Sequence, residues 1–234
     1  MRDTSFLTQN LIAHRGYHDI KIGIPENSML AFKRAIENNL IIELDVHVLK
    51  DGTVVVFHDD NLKRMTAIDK DIKNLDYQEI EKLQLQATEQ RIPLLKEVLE
   101  LVDGKVPLII ELKYDVKCGV LEEKVIEILK GYKGKYAIKS FNPLSVRYFK
   151  KKMPEAIRGQ LTSNFKTRKM LYNFLVKPDF VSCDIHSLPN RKAEKIRKRI
   201  TLLGWTIKSK EDLEHARKYC DNYICENIDL DNRG

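Results

Sequence analysis

Short apolar runs alternate with amphipathic helical patterns along nearly the whole chain. The repeated strand–helix units predict parallel strands joined by right-handed crossovers, and eight such strands close a barrel. The predicted fold class is therefore α/β, a TIM (β/α)8 barrel. The predicted strands cover residues 11–13, 40–48, 107–113, 136–140, 157–161, 180–185, 201–207 and 222–225.

The spacing of apolar residues predicts helices in the segments between the strands. The charge-rich segment 61–93 is predicted to be a small insertion after the second strand. Within it, a short helix is predicted at 76–83, with Asp76 as its N-cap and Glu79 three residues later. The last helix is predicted to be reduced or absent. At 234 residues the chain suits one domain, 1–234. The other predicted helices cover residues 28–38, 94–102, 120–130, 144–151, 167–176, 191–199 and 210–219.

Composition excludes several classes of protein. No apolar stretch approaches the roughly 20 residues of a membrane-spanning helix, so we expect no stable membrane insertion. The first 16 residues show no secretory signal, and the four cysteines form no C-x-x-C pair, which indicates a cytoplasmic protein. The formal charge of +7 is concentrated at 150–152 and 191–199. The second segment has the pattern of a solvated helix face and lacks interleaved aromatic residues, which argues against nucleic acid.

Carboxylates alternate along the second predicted strand. Glu43, Asp45 and His47 occupy every second position, so they share one face, with Glu43 and Asp45 about 7 Å apart. Two carboxylates on the inner face of a strand need a positive charge between them, and a divalent cation supplies one. Glu111 and Lys113 share a face of the next strand in the same way. The alternatives are an exposed acidic pair and a salt bridge on an outer face.

Further polar residues stand where apolar runs end. His14 and Arg15 follow the run at 11–13, and His58 follows the predicted returning strand at 53–57. Catalytic groups in (β/α)8 barrels occupy the carboxyl-terminal ends of strands. Imidazole titrates near neutral pH, so His14 and His58 are predicted as a general acid and base pair.

Several strings resemble the glycerophosphodiester phosphodiesterase family, in order and along nearly the whole chain: IAHRG, PENSMLAFKRAIEN, IELDVHVLKDGTVVVFHD, IPLLKEVLE, LIIELK and LGWT. The resemblance implies a TIM barrel and a metal-dependent phosphodiesterase of lipid metabolism. Such an enzyme hydrolyses a small glycerophosphodiester, such as glycerophosphocholine, to glycerol 3-phosphate and an alcohol. The segment 221–228 departs from the family's usual ending.

The resemblance and the residue chemistry together assign the site. Glu43, Asp45 and Glu111 are predicted to bind one divalent cation, Mg²⁺ or Ca²⁺. Arg15 and Lys113 are predicted to hold the phosphoryl oxygens. Trp205 either packs on the glycerol carbons or lies in the core.

Some assignments stay open at this point. The nucleophile is water or the substrate's own glycerol hydroxyl; we favour water, with His14 as the base and His58 as the acid. The alternative functions are a lysophospholipase D-type phosphodiesterase and a non-catalytic barrel that binds phosphate esters. The remaining residues of interest are His47 (cavity mouth or a supporting hydrogen bond), His186 (substrate contact or cap), Glu26 and Asn27 (bracing Arg15 or capping a helix), Gly23 and Ile24 (substrate neighbours), and His18 and His215 (surface).

Overall fold

A computed structural model describes residues 2–113, 118–165 and 176–226. Eight parallel strands form a closed barrel in the order β1, β2, β4, β5, β6, β7, β8, β9, and β9 pairs with β1 to complete it. The remaining strand, β3, is antiparallel to β2. The strands are β1 Ile12–Ala13, β2 Ile41–Val48, β3 Val54–Val56, β4 Leu108–Leu112, β5 Tyr136–Ser140, β6 Ile157–Thr162, β7 Phe180–Asp184, β8 Thr201–Ile207 and β9 Asn222–Cys225.

Helices connect the strands on the outside of the barrel. Local hydrogen bonds set several of their first residues: the Ser28 hydroxyl accepts from the Ala31 N–H, and the Asn142 side chain accepts from the Leu144 N–H. The α-helices of the described residues are α1 Met29–Glu37, α2 Lys63–Thr66, α3 Tyr77–Ile80, α4 Leu95–Val102, α5 Val120–Leu129, α6 Pro143–Lys152, α7 Arg191–Arg197 and α8 Lys210–Tyr219. Short 3₁₀ helices cover Ser5–Thr8, Ile20–Ile22, Ile72–Asn74 and Ile185–Ser187.

The predicted barrel is confirmed, and most strand and helix ends differ from the predicted ones by at most two residues. The helix predicted at 76–83 is Tyr77–Ile80, which is three residues shorter at its carboxyl end. The strand predicted at 107–113 is shorter at both ends, and the helix predicted at 191–199 ends at Arg197. Most of the helix predicted at 167–176, and the place of a last helix, lie outside the described residues. None of the described helices has the length and apolar character needed to cross a membrane.

The barrel interior has an apolar layer below a charged layer. Ile41, Ile109 and Ala137 belong to one buried cluster inside the barrel. Because side chains alternate along a strand, the residues two positions further on face the same way. Those residues include Glu43 and Glu111, so the strands' carboxyl-terminal halves carry the charged layer above an apolar floor.

The predicted insertion packs around its own apolar cluster on the β2–β3 hairpin. Leu62, which directly precedes α2, and Met65 of α2 are buried with Phe57, and Ile80 of α3 belongs to the same cluster. As predicted, Glu79 accepts a hydrogen bond from the N–H of Asp76 at the start of α3 (3.0 Å). This packing fixes α2 beside the carboxyl-terminal end of the barrel, where β2 ends.

Candidate active site

Three carboxylates from two neighbouring strands converge inside the barrel. Glu43 and Asp45 lie on β2 and Glu111 lies on β4, where Asp45 and Glu111 are direct register partners. One oxygen from each carboxylate lies within 4.8 Å of the other two, and all three residues are buried. The predicted metal ligands therefore come together in the structure.

Positive groups keep two of these buried carboxylates, Glu43 and Asp45, ionised. Burial alone would raise the pKa of Asp45, but Lys113, His58 and Arg15 outweigh that effect and lower it. Burial likewise opposes ionisation of Glu43, and the neighbouring ammonium of Lys139 lowers its pKa.

Three cations contact the carboxylates, and two of them were predicted. Lys113 Nζ lies 3.1 Å from Asp45 Oδ1 and 3.0 Å from Glu111 Oε1. The backbone N–H of Arg15 donates to Glu43 Oε2 (3.1 Å), and Arg15 Nε lies 3.5 Å from Asp45 Oδ2. The third cation, Lys139, was missed by sequence reasoning. The sequence did contain a sign of it, because Lys139 lies within a predicted barrel strand. Such strands are buried on both faces, so a charged residue in one of them indicates a functional or ion-paired position.

Both predicted catalytic histidines are backed by carboxylates. His14 Nδ1 donates to Glu226 Oε2 (3.1 Å), and His58 Nδ1 donates to Asp59 Oδ1 (2.6 Å). These bonds fix both imidazoles and leave each Nε2 free to accept or give a proton. Glu226 was not predicted as a functional residue, although it lies in the segment that departs from the family's usual ending.

The two backing carboxylates are strongly acidic. The hydrogen bond from His14 lowers the pKa of Glu226 to about 2, against the opposing effect of burial. Burial would raise the pKa of Asp59, but hydrogen bonds from Arg64 and His58 outweigh it and hold this pKa at about 2. Both groups are therefore charged at neutral pH.

Arg64 of the insertion ties two parts of the site together. Its guanidinium donates to both Asp59 oxygens (2.6 and 3.0 Å) and to both Glu26 oxygens (2.9 and 2.7 Å). Glu26 in turn accepts from Arg15 Nη1 (2.7 Å), which is the first of its two predicted roles. Arg64 thus supports the partners of both His58 and Arg15.

A cavity of about 160 Å³ opens above the charged layer at the carboxyl-terminal ends of the strands. The Trp205 indole lies on its wall, edge-on to Phe141 with ring centroids 5.8 Å apart. Its buried Nε1 has no hydrogen-bond partner. Trp205 is half-buried beside the cavity, and this position is compatible with its predicted packing on the glycerol carbons of a substrate. The predicted site residues on the wall are His14, Arg15, Asp45, His58, Glu111, Lys113 and Trp205.

The other residues of interest lie behind or away from the cavity wall. His47 Nε2 donates to the backbone carbonyl of His58 (3.2 Å), which corresponds to its predicted supporting hydrogen bond. Asn27 donates to Asp45 Oδ2 (3.0 Å) and thus orients a predicted metal ligand, whereas it was predicted to brace Arg15 or to cap the helix. The exposed His186, together with Gly23 and Ile24, does not line this cavity.

The prediction that His18 and His215 are surface residues was wrong. The Nε2 atom of His18 is buried, and burial lowers the pKa of this imidazole. His215 is half-buried, and its Nε2 lies 3.2 Å from the backbone carbonyls of Ile185 and Leu188. The regular helical pattern at 210–219 did not reveal that the second turn of this helix packs on the Ile185–Ser187 helix.

A larger cavity, of about 940 Å³, lies at the opposite end of the barrel. Its lining includes Asn39, Pro107 and Lys135, which lie one or two residues before the start of β2, β4 and β5. Among the described residues that line it there is no histidine and no cluster of three carboxylates. We therefore place the chemistry in the smaller cavity.

The donor set fits a hard divalent cation. Three buried carboxylates offer oxygen ligands, and the adjacent cavity leaves room for water or phosphate oxygens, as Mg²⁺ and Ca²⁺ require. Both cations remain compatible with these ligands.

Comparison with known proteins agrees with this geometry. Residues 14–224 match the model of the glycerophosphoryl diester phosphodiesterase family. The chain belongs to this family. A glycerophosphodiester phosphodiesterase of Caldanaerobacter subterraneus subsp. tengcongensis is 33% identical over 227 residues, which cover 89% of each chain. Human lysophospholipase D GDPD1 is 38% identical over 140 residues, which cover 54% of this chain and 42% of the human one.

A solved structure shares the fold. A phosphodiesterase of Oleispira antarctica, in complex with the product sn-glycerol-3-phosphate, matches with a TM-score of 0.82 and 24% identity over 94% of this chain and 93% of its own. The predicted family, the barrel fold and the class of phosphoric diester hydrolase are confirmed by these matches.

Proposed function

We propose that this enzyme hydrolyses small glycerophosphodiesters to sn-glycerol 3-phosphate and an alcohol, and that it requires one divalent cation. One observation carries the proposal: two carboxylate-backed imidazoles line a single cavity together with Asp45 and Glu111, and Glu43 completes the carboxylate cluster behind that wall. Binding a phosphate ester needs no pair of proton-transfer groups, which argues against a non-catalytic barrel.

The chain's own residues divide the work of hydrolysis. Glu43, Asp45 and Glu111 would hold the cation, which when bound would neutralise negative charge on the phosphoryl group. Arg15 and Lys113 hold the phosphoryl oxygens, with arginine as a forked donor and lysine as a point charge.

Two proton transfers complete the reaction. His14 Nε2 takes a proton from water as the water oxygen bonds to phosphorus. His58 Nε2 gives a proton to the alcohol oxygen as its bond to phosphorus breaks. Glycerol 3-phosphate and the alcohol leave, and exchange with solvent restores both imidazoles.

The backing carboxylates favour this assignment of base and acid. Asp59 divides its charge between His58 and the two close hydrogen bonds from Arg64. Glu226 Oε2 lies 3.1 Å from His14 Nδ1, and within the described part of the chain its one other ion-pair partner is the exposed Lys208, at 3.4 Å. The less shared carboxylate stands behind His14, so His14 is the better placed base.

Turnover of glycerophosphocholine tests the proposal. We expect release of glycerol 3-phosphate with Mg²⁺ or Ca²⁺, loss of release with a chelator, and loss with His14→Ala or Glu43→Gln. Glu122→Gln is the matched control, because Glu122 is a buried carboxylate on α5 outside the cavity. Release that survives both the chelator and Glu43→Gln would exclude the metal; no release under any condition would exclude the activity.

A second candidate substrate is a lysophospholipid. Ile20 and Ile22 are 45% and 60% exposed in the loop after β1, at the cavity end of the barrel. Exposed apolar side chains there favour a substrate with an acyl chain, the kind of substrate named for human GDPD1. If this candidate is correct, lysophosphatidylcholine will be turned over faster than glycerophosphocholine, and serine at both positions will abolish the difference.

Other expectations from the sequence stay predictions. A single domain over 1–234 is consistent with the family match at 14–224. The cytoplasmic location rests on cysteine usage; Cys118, Cys183, Cys220 and Cys225 are free thiols. The absence of nucleic acid as a partner rests on the composition alone.

A further inference from the structure

Lys139 is a buried lysine at the centre of the charged layer. It lies on β5 as the register partner of Glu111 on β4, and its side chain is only 3% exposed. Its Nζ is 2.8 Å from Glu43 Oε1 and 3.2 Å from Glu111 Oε2. One ammonium group therefore bridges two of the three carboxylates proposed to bind the cation.

The site is internally charge-balanced. Three carboxylates, Glu43, Asp45 and Glu111, face three cations, Arg15, Lys113 and Lys139. Each of the six carboxylate oxygens lies near a nitrogen of Arg15, Asn27, Lys113 or Lys139. A divalent cation that enters must therefore compete with positive charge already present.

The two lysines differ in their freedom to move. Lys113 is 15% exposed and stands after the end of β4 at the cavity mouth, so its ammonium can turn toward an incoming phosphate. Lys139 is held within β5, with Ala137 and the rest of the apolar layer below it. A charged ammonium has no favourable place in that layer, so Lys139 stays with Glu43 and Glu111.

We propose that Lys139 acts as a resident cation: it neutralises Glu43 and Glu111 in the metal-free protein and thereby lowers the affinity of the site for its divalent ion. The inference rests on the proposed metal site. Removal of one partner from a buried ion pair leaves an uncompensated charge. Without Lys139, the metal-free protein carries that uncompensated charge, and a divalent ion supplies the compensation.

Calorimetric titration with CaCl₂ and, separately, MgCl₂ tests the role. We expect Lys139→Met to bind the ion at least about tenfold more tightly than the wild type, equivalent to about 1.4 kcal/mol. We also expect the metal-free variant to unfold at a lower temperature and the ion to raise its Tm by more than that of the wild type.

The matched control is Arg158→Met. Arg158 is a buried cation on β6 that lies 3.6 Å from Asp179 and makes no contact with the three carboxylates. This variant also disrupts a buried ion pair, so we expect a lower Tm but an unchanged affinity for the ion. A change in affinity confined to the Lys139 variant separates its role from a general loss of stability.

The outcomes distinguish this inference from the proposed function. A wild-type protein that binds neither ion overturns the metal site itself. A wild type that binds, with equal or weaker binding by Lys139→Met, overturns the role of Lys139 alone. If Lys139→Met does not fold, Lys139→Gln keeps hydrogen-bond donors without the charge; folding that depends on the ion supports the role, and failure to fold even with the ion contradicts it.

Discussion

Replacement of Arg64 by methionine tests how the insertion supports catalysis. Arg64→Met keeps an apolar stem and removes all four hydrogen bonds to Asp59 and Glu26. Because the Arg64 side chain is 44% exposed, solvent screens its ion pairs, and we expect the free energy of unfolding to fall by only about 1 kcal/mol.

The expected effect on activity is larger than that on stability. Asp59 and Glu26 would lose their shared anchor, and His58 and Arg15 would be oriented less well. A misplacement of about 1 Å at such groups costs up to about 100-fold in rate. We therefore expect kcat/KM for glycerophosphocholine to fall about 10- to 100-fold, or about 1.4 to 2.7 kcal/mol in the activation free energy.

Arg91→Met is a closely matched control. Arg91 also belongs to the insertion, is 43% exposed and forms a two-pronged ion pair, with Glu97, away from the cavity. We expect a similar loss of stability with unchanged kcat/KM. Equal loss of activity in the two variants would refute the positioning role of Arg64, and so would an Arg64 variant with wild-type kcat and KM.

Single replacements of Asp59 and Glu26, the two carboxylates that Arg64 binds, separate its effect on His58 from its effect on Arg15. Asp59→Asn acts on His58 and should lower kcat, whereas Glu26→Gln acts on Arg15 and should chiefly raise KM. Combined with Arg64→Met, each effect should be less than additive, because the residues act through shared hydrogen bonds.

Three further predictions concern Glu226, Asp59 and Trp205. Glu226→Gln should lower kcat at least about tenfold, because the imidazolium of His14 loses its charged partner; steady-state kinetics measure this, and an unchanged kcat would disprove the pairing. Since their folded-state pKa values are depressed to about 2, Glu226 and Asp59 should stabilise the fold fully above pH 4.5, the higher ordinary value, and lose this contribution as the pH falls toward 2. Urea unfolding at several pH values should show a smaller loss in the double variant Glu226→Gln/Asp59→Asn than in the wild type, because Glu43 and Asp45 still titrate in both proteins; an equal loss would contradict the contribution of Glu226 and Asp59. Trp205→Ala should raise KM about tenfold with little change in kcat, because a cavity wall is lost, while Trp205→Phe keeps most of the affinity; equal KM values in both variants would assign the indole to the core.

Local patterns predicted the barrel, and together with the family resemblance they predicted the three metal ligands. Alternation along a strand places Glu43 and Asp45 on one face of β2. The same alternation places Glu111 and Lys113 on one face of the next barrel strand. Each of these pairs lies on a single strand, so its common face could be predicted without knowledge of the pairing between strands.

The missed residues depend on relations between distant parts of the chain. Lys139 meets Glu111 because of the register between β4 and β5, which no local pattern specifies. Glu226 reaches His14 only because β9 closes onto β1, at a separation of 212 residues. Arg64 reaches Glu26 because the insertion folds back over the end of β2.

The pairing of β1 with β9, which closes the barrel, has a consequence for the order of events in folding. The proposed base, His14, follows β1, and its carboxylate partner, Glu226, follows β9. The hydrogen bond between them therefore cannot form until β9 pairs with β1. Hydrolytic activity would then arise only when the barrel closes. A barrel that is partly folded, or that opens transiently between β1 and β9, would be inactive.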